Sequence, residues 1–201
     1  MWYLANSGAA AVGINALEER YNLEDALVVA GMLNVFVRNA DVVKMANMAQ
    51  LVNVIAPIFT NEQGLFLQTI YYPLQLFSNE MKGTSLDVKV DSDTYTLDGY
   101  QTTEVPYLDV SAAVNGEELT IMVVNRHKDK AIATDLVCQE GTFAGNFEVW
   151  EVNGPDIKAG NDFGTTNVKT TRKDDVKARG EQFKYSFAPH SVTMLKGQIK
   201  R

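Results

Sequence analysis

The hydrophobic pattern of the chain changes period near its middle. Residues 1–80 carry helical spacing and short buried runs, whereas residues 86–196 carry short β-type runs separated by turn chemistry. The clearest helical pattern covers residues 23–39. Ala26, Ala30, Leu33 and Val37 recur at helical spacing, and Leu27 and Phe36 widen the apolar face. Asn22 is suited to the N-cap, Glu24 and Asp25 fall in the first turn, and Arg38 falls in the last, so each charge has the sign that the helix dipole favours. This stripe reads as core packing. Residues 69–77 predict a last helix, weakened by Pro73 and the Tyr71-Tyr72 pair. Residues 41–52 fit two templates, a helix starting at Asp41 or a buried strand over 43–49.

The second half predicts a hairpin over residues 110–124, with Asn115-Gly116 as a tight turn of positive φ. Further strands are predicted near residues 86–90, 132–138, 147–152, 183–187 and 192–195. Short strands with polar turns indicate an antiparallel sandwich. Residues 158–180, polar and rich in Gly, Asn, Thr and Lys, read as a long surface loop. A cluster of Asn, Lys, Gly, Thr and Ser places the boundary between the halves near residues 79–85.

Composition narrows the partners. The 201 residues are 46% apolar, enough for a sizeable core, and carry a formal net charge of −7. An acidic surface argues against nucleic acid and against an anionic membrane, and is neutral toward sugars. Cys138 is the single cysteine, so no internal disulfide forms. No membrane span or signal segment is visible, since the weakly apolar stretch 4–17 is short and broken by Gly8 and Gly13; the compartment stays open. His127 and His190 lack metal-ligand spacing, Asp174-Asp175 and Glu18-Glu19 read as solvated charge, and the glycines lack a dinucleotide fingerprint. No cofactor or metal is expected.

Several stretches share an order that is hard to obtain by chance. They are Tyr21-Asn22-Leu-Glu-Asp25-Ala26-Leu27, Asn39-Ala-Asp41, Ala49-Gln50-Leu-Val-Asn53-Val-Ile-Ala-Pro57-Ile58 and Gln68-Thr-Ile-Tyr71-Tyr72-Pro73. Weaker matches follow in Val105-Pro-Tyr-Leu-Asp-Val, Val124-Asn-Arg126, Asn161-Asp-Phe and Ala188-Pro-His-Ser-Val192. This order resembles the last part of a retaining α-L-arabinofuranosidase of glycoside hydrolase family 51. Trp2 and Tyr3 match the end of that family's nucleophile stretch, Asp-Glu-Trp-Asn-Val-Trp-Tyr, with Met1 standing where Val would be.

The resemblance implies an α/β plus all-β chain: a C-terminal fragment of a (β/α)8 TIM barrel over residues 1–80, then an antiparallel, jelly-roll-like β-sandwich over 81–201. It favours the strand over 43–49. It implies an exo-acting enzyme that removes terminal arabinofuranose from arabinan, arabinoxylan or arabino-oligosaccharides, working without a cofactor as a homo-oligomer, often a hexamer. Retaining glycosidases need two carboxyl groups roughly 5–5.5 Å apart. The resemblance puts both upstream of Trp2, so this chain alone is expected to be inactive and poorly folded in its first 80 residues. Two substrate-binding residues carry over: Trp2, whose indole would pack on a furanose, and Gln50, whose amide would bind arabinose hydroxyls at the end of the last barrel strand. Gln68 and Tyr71 could border the site but suit packing better. A non-catalytic carbohydrate-binding or assembly sandwich is the alternative. Trp150, Tyr95, Tyr100 and Tyr107 are its candidate aromatics, with Trp150 better suited to the core.

Overall fold

Asn22 begins the first helix as its neighbours dictate. In a computed structural model that describes residues 18–97 and 103–200, α1 spans Leu23–Arg38. Asn22 Oδ1 accepts from the backbone N–H groups of Glu24 at 2.9 Å and Asp25 at 3.4 Å, and Asp25 Oδ2 accepts from Asn22 N at 2.8 Å. That reciprocal box satisfies donors that a helix start leaves unpaired. Leu23 N and Glu24 N donate further, to the carbonyls of Ala159 and Ile157, both at 2.9 Å. The first turn is thus capped by a loop from the far end of the chain.

Residues 43–49 form no strand, against the expectation. A central parallel strand needs a neighbour on each side to pair its backbone, and among the described residues this stretch has none. Its methionines are left in solvent, Met45 at 78% and Met48 at 40% exposure. A hairpin that the pattern did not predict follows: β1 (Ile58–Asn61) with β2 (Gly64–Leu67). Then α2 spans Tyr71–Glu80, shifted toward the C-terminus of the predicted 69–77. Pro73 is its third residue, where the missing N–H has no intrahelical acceptor to lose.

Ten of the remaining strands build the second half: β3 (Thr84–Leu86), β4 (Thr94–Leu97), β5 (Thr103–Pro106), β6 (Leu108–Asn115), β7 (Glu118–Asn125), β8 (Ile132–Val137), β9 (Thr142–Asn153), β12 (Lys169–Gly180), β13 (Gln182–Phe187) and β14 (Ser191–Lys200), with the two-residue pair β10 (Asn161–Asp162) and β11 (Thr165–Thr166) between β9 and β12. Six strands form one antiparallel sheet in the order β12-β9-β14-β7-β6-β3; β13 pairs with β8, and β4 with β5. The arrangement is sandwich-like. One face of the large sheet packs Phe143, Phe147, Val149, Ile121 and Leu195 against Phe183 and Phe187 of β13. The other face packs Met122, Val124, Val192 and Met194 against Leu23, Leu27, Tyr72 and Phe77 of the two helices. Strand β7 is buried from Leu119 to Asn125 because both of its faces are covered.

The structure departs from the sequence pattern at the β6–β7 turn and over residues 158–180. Asn115 pairs with Glu118, so the hairpin loop is Gly116-Glu117 and Gly116 alone takes the left-handed backbone, at φ 64°. Asn115 is the last strand residue, not the first turn residue. The stretch 158–180 is not one loop, because β12 occupies more than half of it as an edge strand paired to β9. Only Ala178 of β12 is buried, so the strand carries no apolar alternation. Its lysines and arginines suit an edge that must not pair with another chain.

Helix and sheet are joined by one buried carboxylate. Asp109, 9% exposed, takes Arg38 Nη1 at 2.6 Å and Asn34 Nδ2 at 3.0 Å, and pairs with Arg126 through its second oxygen. Ser111 Oγ donates to Asn34 Oδ1 at 2.6 Å, and Asn34 is fully buried. Replacing Asp109 with Ala strands two arginines. We expect a loss of about 3 kcal/mol in urea unfolding, at the low end for a broken buried pair because both arginines keep some solvent. Asp109→Asn should retain the Asn34 contact and lose less.

Candidate functional site

Three non-glycine residues within six positions hold left-handed backbone: Gln50 at φ 66°, Asn53 at φ 65° and Ile55 at φ 50°. Asn tolerates that region, but a β-branched Ile does so at a cost of roughly 1–2 kcal/mol. The surrounding hydrogen bonds hold the backbone there. Asn53 Oδ1 accepts from Thr60 N at 2.7 Å and Thr60 Oγ1 at 3.3 Å, Asn53 N donates to Ile58 O at 2.9 Å, and Val54 N donates to Val52 O at 2.8 Å. Val52 also forms a parallel bridge with Ile58. The following Ala56 is fully buried. The result is a strained loop, pinned at its base, that displays Gln50 to solvent.

Gln68 supplies the second anchor. It is 1% exposed. Its Nε2 donates to Ala56 O at 2.8 Å and Glu19 O at 3.0 Å, and its Oε1 accepts from Tyr21 N at 3.0 Å. Thr69 Oγ1 adds a bond to Asn22 O at 2.6 Å. The amide therefore stitches residues 19–21 to the base of the Gln50 loop. The hairpin β1–β2 is fixed from another side. The Arg20 guanidinium lies 4.1 Å from the Phe59 ring centre and 5.0 Å from that of Phe66, and pairs with Asp162 at 3.0 Å. Phe163 meets Phe66 edge-on at 4.9 Å, and Asn161 Nδ2 donates to Leu67 O at 2.9 Å.

The candidates fare differently. Trp2 lies outside the described residues. Gln50 is exposed, and its amide makes no hydrogen bond to another described residue, so both its donor and its acceptor face outward. Gln68 is a buried clamp, and Tyr71 begins α2 edge-on to Tyr72, 5.8 Å between ring centres. Asn53 and Arg20 were not singled out by the pattern. Asn53 sits inside the quoted Ala49–Ile58 run, and its value as a left-handed residue was the available signal.

Among the described residues, no acid–base pair is assembled at this loop. The buried carboxylates are each committed: Asp25 to the helix cap, Asp109 to two arginines, and Glu151 to Lys173 at 3.0 Å. No group of three or more His, Cys, Asp or Glu among the described residues could hold a metal. Burial pushes the Tyr21 hydroxyl up to about 12, with Glu19 and Asp25 adding to the shift; burial likewise raises Asp25. Both effects are structural. Among the described residues, the loop offers a ligand hydrogen bonds from Gln50.

Comparison with known proteins bears on this geometry. The family described as the α-L-arabinofuranosidase C-terminal domain matches residues 1–191. A probable α-L-arabinofuranosidase C of Aspergillus clavatus is 40% identical over 194 residues, covering 92% of this chain and 36% of that protein. An intracellular exo-α-(1→5)-L-arabinofuranosidase of Halalkalibacterium halodurans is 42% identical over 132 residues, covering 64% of this chain and 26% of its own length. The solved family 51 α-L-arabinofuranosidase of Thermotoga petrophila superposes with a TM-score of 0.80 at 29% identity, over 90% of this chain and 40% of that one. The chain thus spans about a third of the curated relatives it matches.

Two outcomes test the clamp. Gln68→Leu leaves Tyr21 N, Glu19 O and Ala56 O without their partner and should cost roughly 2–3 kcal/mol in chemical denaturation. The Tyr21 hydroxyl holds its proton longer in the folded chain than in the unfolded one. Its contribution is therefore complete below pH 10, near its ordinary value of 10.0, and declines as pH rises toward about 12. Tyr21→Phe should flatten that part of a stability–pH profile.

Proposed function

This chain belongs to the α-L-arabinofuranosidase C-terminal domain family, and we propose that it is part of an exo-acting, retaining α-L-arabinofuranosidase. The parent enzyme would hydrolyse terminal non-reducing arabinofuranose from arabinan, arabinoxylan or arabino-oligosaccharides, and would assemble as a homo-oligomer. In this reading residues 1–80 are the last part of a (β/α)8 barrel and residues 81–201 its jelly-roll-like companion. The nucleophile and the acid/base, two glutamates, belong to the part of the parent outside the matched third. Gln50 and Trp2 contribute to the sugar subsite, Gln50 by exchanging hydrogen bonds with arabinose hydroxyls and Trp2 by stacking.

The observation that supports this most is an apolar surface next to the strained loop. Val28, Met32 and Val35 leave one stripe of α1 in solvent, and Val42, Met45, Leu51 and Val52 continue the exposed apolar run into the Gln50 segment. A stripe at helical spacing next to an unpaired extended stretch is what the end of a barrel presents when its neighbouring strands and helices are not alongside. The remaining barrel would cover the stripe, pair residues 43–49 as a strand and leave Gln50 at that strand's C-terminal end, where barrel enzymes carry their sites.

Catalysis would follow double displacement. One carboxylate attacks the anomeric carbon while the other protonates the leaving oxygen; water then releases the sugar with the second group acting as base. This chain's share is positioning. An amide held on a pinned loop aligns the sugar without reorganising when the transition state forms.

The assay is hydrolysis of an aryl α-L-arabinofuranoside. The chain alone should match the buffer rate, and adding the missing barrel segment as a separate polypeptide should restore turnover. Turnover well above buffer by the pure chain would refute the assignment of the carboxylates elsewhere. In the restored mixture Gln50→Ala should lower kcat/KM about tenfold or more, the loss of one or two substrate hydrogen bonds.

A further inference from the structure

The sandwich half carries a concave surface built from elements other than the Gln50 loop. Tyr95 of β4, Tyr107 just before β6 and His127 just after β7 form a stack of three rings. Tyr95 and Tyr107 lie 5.0 Å apart between ring centres at a tilt of 35°, and Tyr107 and His127 lie 4.6 Å apart at 31°. Beside the stack opens a cavity of about 610 Å³, lined by Tyr107 and His127 and by Asp93, Thr94, Lys130 and Ala133. That volume falls within the roughly 300–1,000 Å³ of small-molecule sites.

The cleft is held in shape by the backbone. Tyr107 N donates to Asp93 O at 2.9 Å, Arg126 N donates to Tyr107 O at 2.8 Å, and His190 N donates to His127 O at 2.9 Å. The His127 ring is oriented too. Its Nδ1 accepts from Asp129 N and Lys130 N, both at 3.1 Å. In the neutral ring the proton therefore sits on Nε2, which remains free to donate to a ligand.

The charges decide the ligand class. Asp93 and Lys130 both line the cavity, and among the described residues neither side chain is engaged in an ion pair. One charge of each sign gives no net pull on a phosphate or a metal cation. A carboxylate that accepts, an ammonium and an imidazole N–H that donate, and aromatic carbon beside them match a neutral molecule with hydroxyls on one side and C–H groups on the other. We infer that this cleft is a second sugar-binding site, taking a neutral pentose oligosaccharide. That the pentose is arabinose rests on the proposed activity of the parent; the cleft itself does not.

The test is amide NMR of the full 201-residue chain, titrated separately with α-1,5-linked arabinotriose and with xylotriose. We expect saturable shifts at residues 93, 94, 107, 127 and 130 with arabinotriose. His127→Ala should weaken binding about tenfold, as loss of a donor and a ring contact would. Ala133→Trp fills the cleft from an exposed position on β8, should keep the rest of the spectrum and should abolish the shifts. Gln50→Ala should leave them intact. Saturation by xylotriose alone upholds the cleft and removes the arabinose assignment. Unaltered binding by Ala133→Trp overturns the site. So does the lack of a saturable shift with either sugar at concentrations well above a Kd of about 1 mM, whatever the hydrolysis assay returns.

Discussion

Asp109 is the constraint on which the two halves depend. Its carboxylate is nearly out of solvent and would be costly there alone. Arg38 and Asn34 reach it from the helix, and Arg126 from the end of β7. Apolar contact alone would let α1 slide along the sheet, because dispersion between Leu, Ala and Met side chains has little directional preference. A charge with fixed donors does not slide. With α1 in register, its exposed stripe and the Gln50 segment that follows keep a fixed relation to the sandwich.

The same logic runs through the other buried polar groups. Asn125, fully buried, donates to the carbonyls of Lys130, Phe187 and Ala188 and accepts from His127 N. Asn161 links Leu67 to Val168. Each joins segments far apart in sequence where no ladder reaches. These groups hold strand ends to the loops beside them, and the cleft beside Tyr107 and His127 lies next to Asn125. The strained backbone at Asn53 and Ile55 persists because Thr60 and Gln68 hold its base.

What could be read from the chain follows how local each signal is. Helix α1 was legible to within a residue because its cap, charges and stripe all lie within it. The strands around Ile132, Phe183 and Val192 were legible because they alternate or are continuously apolar. β12 was not: an edge strand with one buried side chain carries the composition of a loop. The β1–β2 hairpin was missed because Phe59 and Phe66 are buried by Arg20 and Phe163, partners no local window contains. Gln50 could be named from resemblance but not placed, since nothing near it in sequence specifies a left-handed backbone. Of the ring stack, Tyr95 and Tyr107 were named as exposed aromatics, whereas His127 joins them only through the fold.

The loop that caps α1 has a consequence for the order of events in folding. Glu24 and Lys158, 134 positions apart, are ion-paired, and the carbonyls of Ile157 and Ala159 receive the helix's opening donors. A nascent chain emerging from the ribosome would present those donors long before their acceptors exist. Until that loop has been synthesised and closed, Leu23 N must be served by water and Glu24 N has only the local Asn22 side chain. Completing the start of α1 therefore waits on residues 134 positions later, a contact of high sequence separation.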